Sequence, residues 1–278
     1  MCFYIKHPHQ QIAPAVIRAL DFFRKAINPY RFTRYAGDEQ TEPLTDAAWA
    51  RLRDEILGSE EGGFLQLEDD RDEVGSLYVD YRGLPLPLPW PQRKHDVSVL
   101  YVRLPSHYLE ERGPEHVHAL ALEMARELPF NSGFVDFALC EGGWSCDALP
   151  LIHPRYPGVH LAMSSANMTM DTWVDGVHWM NFLGQPVLGQ LGGVAGLRER
   201  LSLPGISIQE LSGERVVITL GERPEPGDAS VRGTLPLHRA LARLLEPHLY
   251  HRTHMLGRTR PEELRRWERR FLDGEPTP

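Results

Sequence analysis

A chain of 278 residues with 42% apolar content carries enough hydrophobic material to bury a core, which excludes bulk disorder. Its formal charge of −8 and pI of about 5.9 give no basic surface for neutralising phosphates, which argues against a dedicated nucleic-acid binder and favours a basic partner. Cys2, Cys140 and Cys146 are too few and too irregular for a disulfide framework, no run approaches the roughly 18 apolar residues of a membrane span, and no basic leader opens the chain, so a cytoplasmic protein without a membrane partner is expected.

In chain order, QIAPAVIRALDFFRKAIN places Val16, Leu20, Phe23 and Ile27 on one helical stripe with basic residues opposite. LTDAAWARLRDEILG follows, with Thr45 as N-cap, Trp49, Leu52 and Ile56 on one face, and Gly58 as the stop. Between residues 63 and 103, GFLQL, SLYVDYR and DVSVLYVRL have the β-branched and aromatic content and near-alternation of half-buried strands, close enough in sequence to pair antiparallel. The proline-rich LPLPLPWPQ, residues 84 to 92, reads as an extended loop joining two of them. RGPEHVHALALEMAREL starts a helix at Pro114, with Val117, Leu120, Ala121, Met124 and Leu128 at spacings of three and four. The strand GFVDFALC comes next.

The second half continues with a strand through TWVDGVHWMNFL, a helical PVLGQLGGVAGLRERL, the strands GISIQEL and RVVITL, and two helices. The first of these, over residues 235 to 249, carries Leu237, Leu241, Leu244, Leu245 and Leu249; the second opens with Thr259 and Glu262 in capping-box spacing and buries Leu264, Trp267 and Phe271. In TWVDGVHWMNFL, period two puts Val177, Trp179 and Asn181 on one face and His178, Met180 and Phe182 on the other, which makes His178 part of a fold-determining strand before it is a chemical group. Strand clusters interleaved with helices, without repeats or a strict βαβ alternation, give an α+β class: a mixed, mainly antiparallel sheet with helices packed on it, in one compact domain over residues 1–273 with a disordered tail at 274–278.

The chain holds thirteen histidines but little positive sign of chemistry. His248, His251 and His254 stand three apart in EPHLYHRTH with only Glu246 as an acidic neighbour and no HExxH, so no metal is expected there. His116 and His118 lie two apart and point to different sides of a helix, toward the surface. Cys140 and Cys146 sit in no nucleophile signature, Ser164 and Ser165 lie in no GxSxG or SxxK, and LGGVAGL lacks a phosphate-loop spacing. No catalytic residue and no cofactor is assigned. A hydrolase or metal-dependent enzyme built on the histidine-rich segments is the alternative reading, and a structural subunit of a secretion apparatus a third.

One charge pattern stands out. EEGGFLQLEDDRDE sets Glu60, Glu61, Glu68, Asp69, Asp70, Asp72 and Glu73 against Arg71 alone, a local balance of −6. It reads either as a solvated strand end and turn or as a surface that steers a basic partner.

YLEERGPEHVHALALEMARELPFNSG, GVHWMNFLGQPVLGQLGGVAGLRERL, LARLLEPHLYH and LRRWERRFLD together resemble the type VI secretion immunity protein family, in the same order from the first helix to Asp273. The resemblance implies a non-enzymatic role: binding and neutralising a cognate antibacterial effector, for several members a nuclease with a restriction-endonuclease-like fold. It supplies no contact residues. The acidic segment from Glu60 to Glu73 is therefore the candidate partner-binding surface on its own charge, because a nuclease must present a basic cleft.

Overall fold

The computed structural model describes residues 1–70, 76–140, 155–162, 168–211, 214–231, 233–252 and 260–273. The class is α+β, as expected. The chain falls into two compact units, Met1–Gly133 with Ser165–Thr172 and Phe134–Ser164 with Trp173–Pro278. Each draws on separate stretches of sequence, so no single linker marks a boundary.

The first unit contains β1 (Cys2–Ile5), α1 (His9–Ala26), β2 (Arg34–Ala36), β3 (Thr41–Pro43), α2 (Asp46–Gly58), β4 (Gly63–Glu68), β5 (Tyr78–Gly83), β6 (Ser98–Arg103), α3 (Ser106–Arg112) and α4 (Pro114–Glu127). Its strands run in the order β1-β6-β5-β4-β2-β3, with every ladder antiparallel. Alternation decides the faces: Leu65, Leu67, Val79, Tyr81, Leu100 and Val102 are almost fully buried, whereas Phe64, Gln66, Glu68, Tyr78 and Arg82 are not. α1 packs on α2 and α4. Thr45 caps α2 as its sequence indicates, its hydroxyl accepting from Ala48 N–H at 3.1 Å. The proline-rich loop joins β5 to β6, also as expected. The short α3 has weaker sequence signals: its seven residues lie between Pro105 and Gly113, whose φ of 82° ends it.

The entry to α1 is fixed by a histidine placed where two glycines meet. Gly63 and Gly83 are ladder partners, and the His9 ring occupies the space their missing side chains leave. His9 Nε2 lies 2.9 Å from Ile56 carbonyl oxygen and must donate to it, so Nδ1 accepts from the Tyr81 hydroxyl at 2.8 Å. Burial lowers the His9 pKa, favouring this neutral form.

The chain passes to the second unit within β7 (Ser132–Val135) and continues through β8 (Ala138–Cys140), β9 (His160–Ala162), β10 (Met180–Leu183), α5 (Val187–Gln190), α6 (Gly193–Arg200), β11 (Ile206–Leu211), β12 (Arg215–Leu220), α7 (Pro236–Leu245) and α8 (Pro261–Glu268). Here β11-β12-β10 pair antiparallel and β8 pairs with β9 in parallel. The four residues of β10 are all buried, so its two faces are both interior and alternation carries no polarity signal.

Four sequence expectations shift in this unit. The strand expected over TWVDGVHWMNFL is confined to Met180–Leu183, because the Asn181 side chain accepts from His178 N–H at 2.9 Å and donates to His178 carbonyl at 2.7 Å, taking bonds a ladder would use. GFVDFALC breaks into β7 and β8 where Asp136 accepts from Phe137 N–H at 2.8 Å. The single helix over PVLGQLGGVAGLRERL becomes α5 and α6, parted at Gly192 with φ 81°, and Arg200 donates to the freed Leu191 carbonyl. The capping glutamate of α8 is Glu263, which accepts from Arg260 N–H at 3.3 Å, and not Glu262; Thr259 lies outside the described residues, as does the 274–278 tail.

Trp179 and Trp267 are 1% and 2% exposed. Replacing either with alanine is expected to cost about 3–5 kcal/mol in denaturant unfolding, the loss of a large core aromatic. Gly83→Ala brings a Cβ to 2.2 Å from His9 Nδ1, whose ring is held at both nitrogens. Its expected cost is about 1–3 kcal/mol, while Gly58→Ala, which meets nothing within 4 Å, should be nearly neutral in the same assay.

Candidate functional site

Strand β4 divides the acidic segment. Glu60 and Glu61 are exposed in the turn before it, while Glu68 closes it and Asp69 and Asp70 follow, so the two groups are separated by a strand of about 17 Å. Glu68 is partly exposed and faces Arg34 at 4.0 Å. Asp69 is buried and bonded to Leu77: its N–H donates to Leu77 carbonyl at 3.2 Å and its carboxylate accepts from Leu77 N–H at 3.4 Å. Asp70 is exposed and accepts from the Thr33 hydroxyl at 2.6 Å. Asp72 and Glu73 lie outside the described residues.

The structure extends this charge beyond the segment read from sequence. Asp38 and Glu39 in the β2–β3 turn, Glu42 on β3, and Asp46, Asp54 and Glu55 on α2 are all exposed. Residues 38–73 thus hold thirteen carboxylates against three arginines, while the remainder of the chain holds 27 basic residues against 25 acidic. The acidic excess belongs entirely to β2, β3, α2, β4 and their connections. A charge window wider than the densest run would have found it; what sequence does not show is that the elements carrying it are neighbours in one sheet and the helix beside it.

The second concentration of polar groups lies inside the second unit. Asp136 and His178 have side chains 2% and 1% exposed, with Oδ2 and Nδ1 3.3 Å apart. The carboxyl also accepts from Phe137 N–H at 2.8 Å and Trp179 N–H at 3.3 Å. Burial pushes Asp136 up to about 8 despite those donors, and holds His178 and His160 well below the ordinary histidine value. His178 stacks on Phe134 at 4.0 Å and meets His160 edge-on at 5.0 Å, and His160 lies 5.7 Å from Trp267. Arg270 stands over Trp267 at 4.3 Å and donates to Pro157 carbonyl at 2.7 Å, while Arg252 pairs with Asp175 at 2.5 Å. The Asp136 carboxyl and Arg270 bond to backbone, while His178 Nε2 and His160 Nδ1 are buried among aromatic rings without a hydrogen-bond partner among the described residues, an enclosed arrangement that organises a core.

The other candidates are dispersed. His248 ends a short 3-10 turn after α7, His251 is exposed 3.5 Å from Glu268, and His254 is outside the described residues. His116 accepts from or donates to the Tyr108 hydroxyl at 2.9 Å, and His118 is half-buried. Among the described residues no group of three His, Cys, Asp or Glu is placed to hold a metal ion. Cys146, Ser164 and Ser165 lie outside them.

Residues 15–271 match the family model described as TsiV, type VI immunity for VRR-NUC. The chain belongs to this family: it is a type VI immunity protein, and its partner is a VRR-NUC nuclease effector. Its fold is similar to that of the Pseudomonas aeruginosa T6SS protein PA0821, with a TM-score of 0.77 at 20% sequence identity over 97% of this chain and 82% of that one. No curated protein sequence matches it.

The buried histidines set a pH dependence. His160, His178 and His238, the last lowered to about 3, remain neutral in the fold but protonate near 6.5 once unfolded. Their contribution is present above about pH 6.5, the ordinary histidine value, and is lost progressively as pH falls below it. Asp136 acts oppositely: raised to about 8 from 3.8, it takes up a proton on folding between those values. The histidines outnumber the opposing carboxyl, so unfolding takes up protons and stability falls as pH drops below about 6.5, the ordinary histidine value. Denaturant unfolding across pH 4–8 checks this; a flat profile below pH 6.5 would contradict it.

Proposed function

We propose that the protein neutralises its effector by stoichiometric occlusion, without turnover, and that the acidic segment marks the recognition surface. One observation carries this reading: the whole acidic excess of the chain is gathered on adjoining elements of the first unit, with nine of its carboxylates exposed. A nuclease has to hold phosphates in a basic cleft, so a protein that covers the cleft gains attraction from the same groups. Within the segment, Glu60, Glu61 and Asp70 are the side chains assigned to contact; Glu68 is shared with Arg34, and Asp69 is buried and bonded to Leu77. Asp72 and Glu73 extend the same charge in sequence.

The non-catalytic role is supported by membership in an immunity family and by the enclosure of the Asp136 and His178 side chains. We place the protein in the cytoplasm, where a nuclease effector meets the chromosome. No helix among the described residues is long and apolar enough to cross a membrane.

The combined substitution Glu60→Gln, Glu61→Gln and Asp70→Asn is expected to slow association with the catalytically inactive effector roughly tenfold at low salt and to flatten the salt dependence, with a smaller change in dissociation. Stopped-flow or surface-based kinetics on the folded variant decide it. Association at the original rate would place the recognition surface elsewhere. Occlusion further requires nuclease activity to titrate to zero at one equivalent, with the effector recovered intact.

A further inference from the structure

The strand that separates the two acidic groups presents its own surface. Phe64, Gln66 and Glu68 alternate along one face of β4, opposite Arg82, Asp80 and Tyr78 of β5, with Tyr101 and Arg103 of β6 next in register. Phe64 is 52% exposed, although the neighbouring inward positions Leu65 and Leu67 are 2% and 0%. The Arg82 guanidinium lies 5.5 Å from the Phe64 ring and is held at 3.1 Å by Asp80, whose own side chain is 3% exposed. Arg103 lies 4.9 Å from the Tyr78 ring, Tyr78 meets Tyr101 edge-on at 6.2 Å, and Gln66 donates to the Tyr78 hydroxyl. Aromatic and arginine side chains clipped together in this way have already lost much of their rotamer freedom, and these residue types are enriched at the energetic centres of protein interfaces.

We infer that this face is the centre of the effector contact, with Phe64 as its anchor and the carboxylates at the two ends of β4 as its rim. The inference rests on the reading that the acidic segment recognises the effector. Charge complementarity selects the occupant. Glu60 and Glu61 at one end and Glu68 and Asp70 at the other would repel the phosphates of a nucleic acid and the matching carboxylates of a second copy, but would attract the walls of a basic cleft laid along the strand. Arg82 and Arg103 remain compatible with such a partner because each is engaged with an aromatic ring on its own sheet.

The test compares Phe64→Ala with the acidic triple variant against the catalytically inactive cognate VRR-NUC effector, with thermal unfolding confirming the fold of each. Phe64→Ala is expected to weaken binding by roughly tenfold or more, mainly through faster dissociation, with unchanged salt dependence. Gln66→Arg, which adds a cation between the acidic ends, should weaken it as well. If both folded variants bind within about twofold of the parent while the acidic triple still slows association, this face is not the contact and the electrostatic reading stands. If the triple also leaves association unchanged, both readings fall. A fluorescein-labelled single-stranded oligonucleotide bound by the parent and released by Phe64→Ala, or a dimer in sedimentation dissolved by it, would overturn the inference by assigning the face to another occupant.

Discussion

Much of the second unit depends on one buried carboxyl. Asp136 accepts the N–H of Phe137, which breaks the chain between β7 and β8, and the N–H of Trp179, which precedes β10, while its Oδ2 meets His178. Two segments more than forty residues apart are thereby fixed to one side chain. Enclosure among Phe134, His160 and Trp267 leaves charge expensive on the carboxyl and on the ring alike, so the proton inventory of this core is as specific as its packing. The first unit reaches an equivalent end by shape: His9 fits because Gly63 and Gly83 pair, and burial of its ring favours the neutral form.

Both devices keep those buried rings uncharged at neutral pH, although the second unit also buries Arg270 and the Arg252–Asp175 pair; at the surface, charge is sorted by element. The carboxylate excess occupies the elements from the β2–β3 turn to the end of β4, the remainder of the chain being close to balanced. For a family whose partners are nucleases, such sorting has a direct use. A binding protein of moderate size gains encounter rate from a field concentrated on one side, whereas the same charges spread evenly would mainly add self-repulsion.

Period-two and period-3.6 patterns were readable in the longer elements with one wet face, though not in the short β2, β3 and α3. β4, β5, β6, α1, α2 and α4 were all visible in the sequence for that reason, and Thr45 and Pro114 marked helix starts by local chemistry. Extent was misread where a side chain replaces a ladder bond, and the uniformly buried β1 was missed, although β7, β10 and β12 were read as strands despite burial on both faces. CFYI and MNFL are uniformly buried and show no alternation, and Asn181 shortens its strand by bonding the His178 backbone. The acidic segment was visible as composition, but its division by β4, the burial of Asp69 and the addition of Asp38, Glu39, Glu42 and the α2 carboxylates are products of folding. His178 belongs to the same class: its neighbours Trp179 and Met180 announced a buried element, while its partner Asp136 lies forty-two residues away.

Alternation along β4 also separates what the fold buries from what it leaves exposed. Leu65 and Leu67 are sealed in the core, and the register with β5 is held by backbone bonds that are indifferent to Phe64, Gln66 and Glu68 on the other face. Substituting the outward set changes shape and charge without opening a cavity, because those side chains contribute little to interior volume. With the proposed contact on this face, a scaffold of this kind would follow a nuclease whose cleft has changed by exchanging side chains on one face of one strand and at its two ends, leaving the His9 wedge and the Asp136 core as they are. Tolerance of the fold and specificity of the surface are then consequences of the same two-residue period, one read toward the core and the other toward solvent.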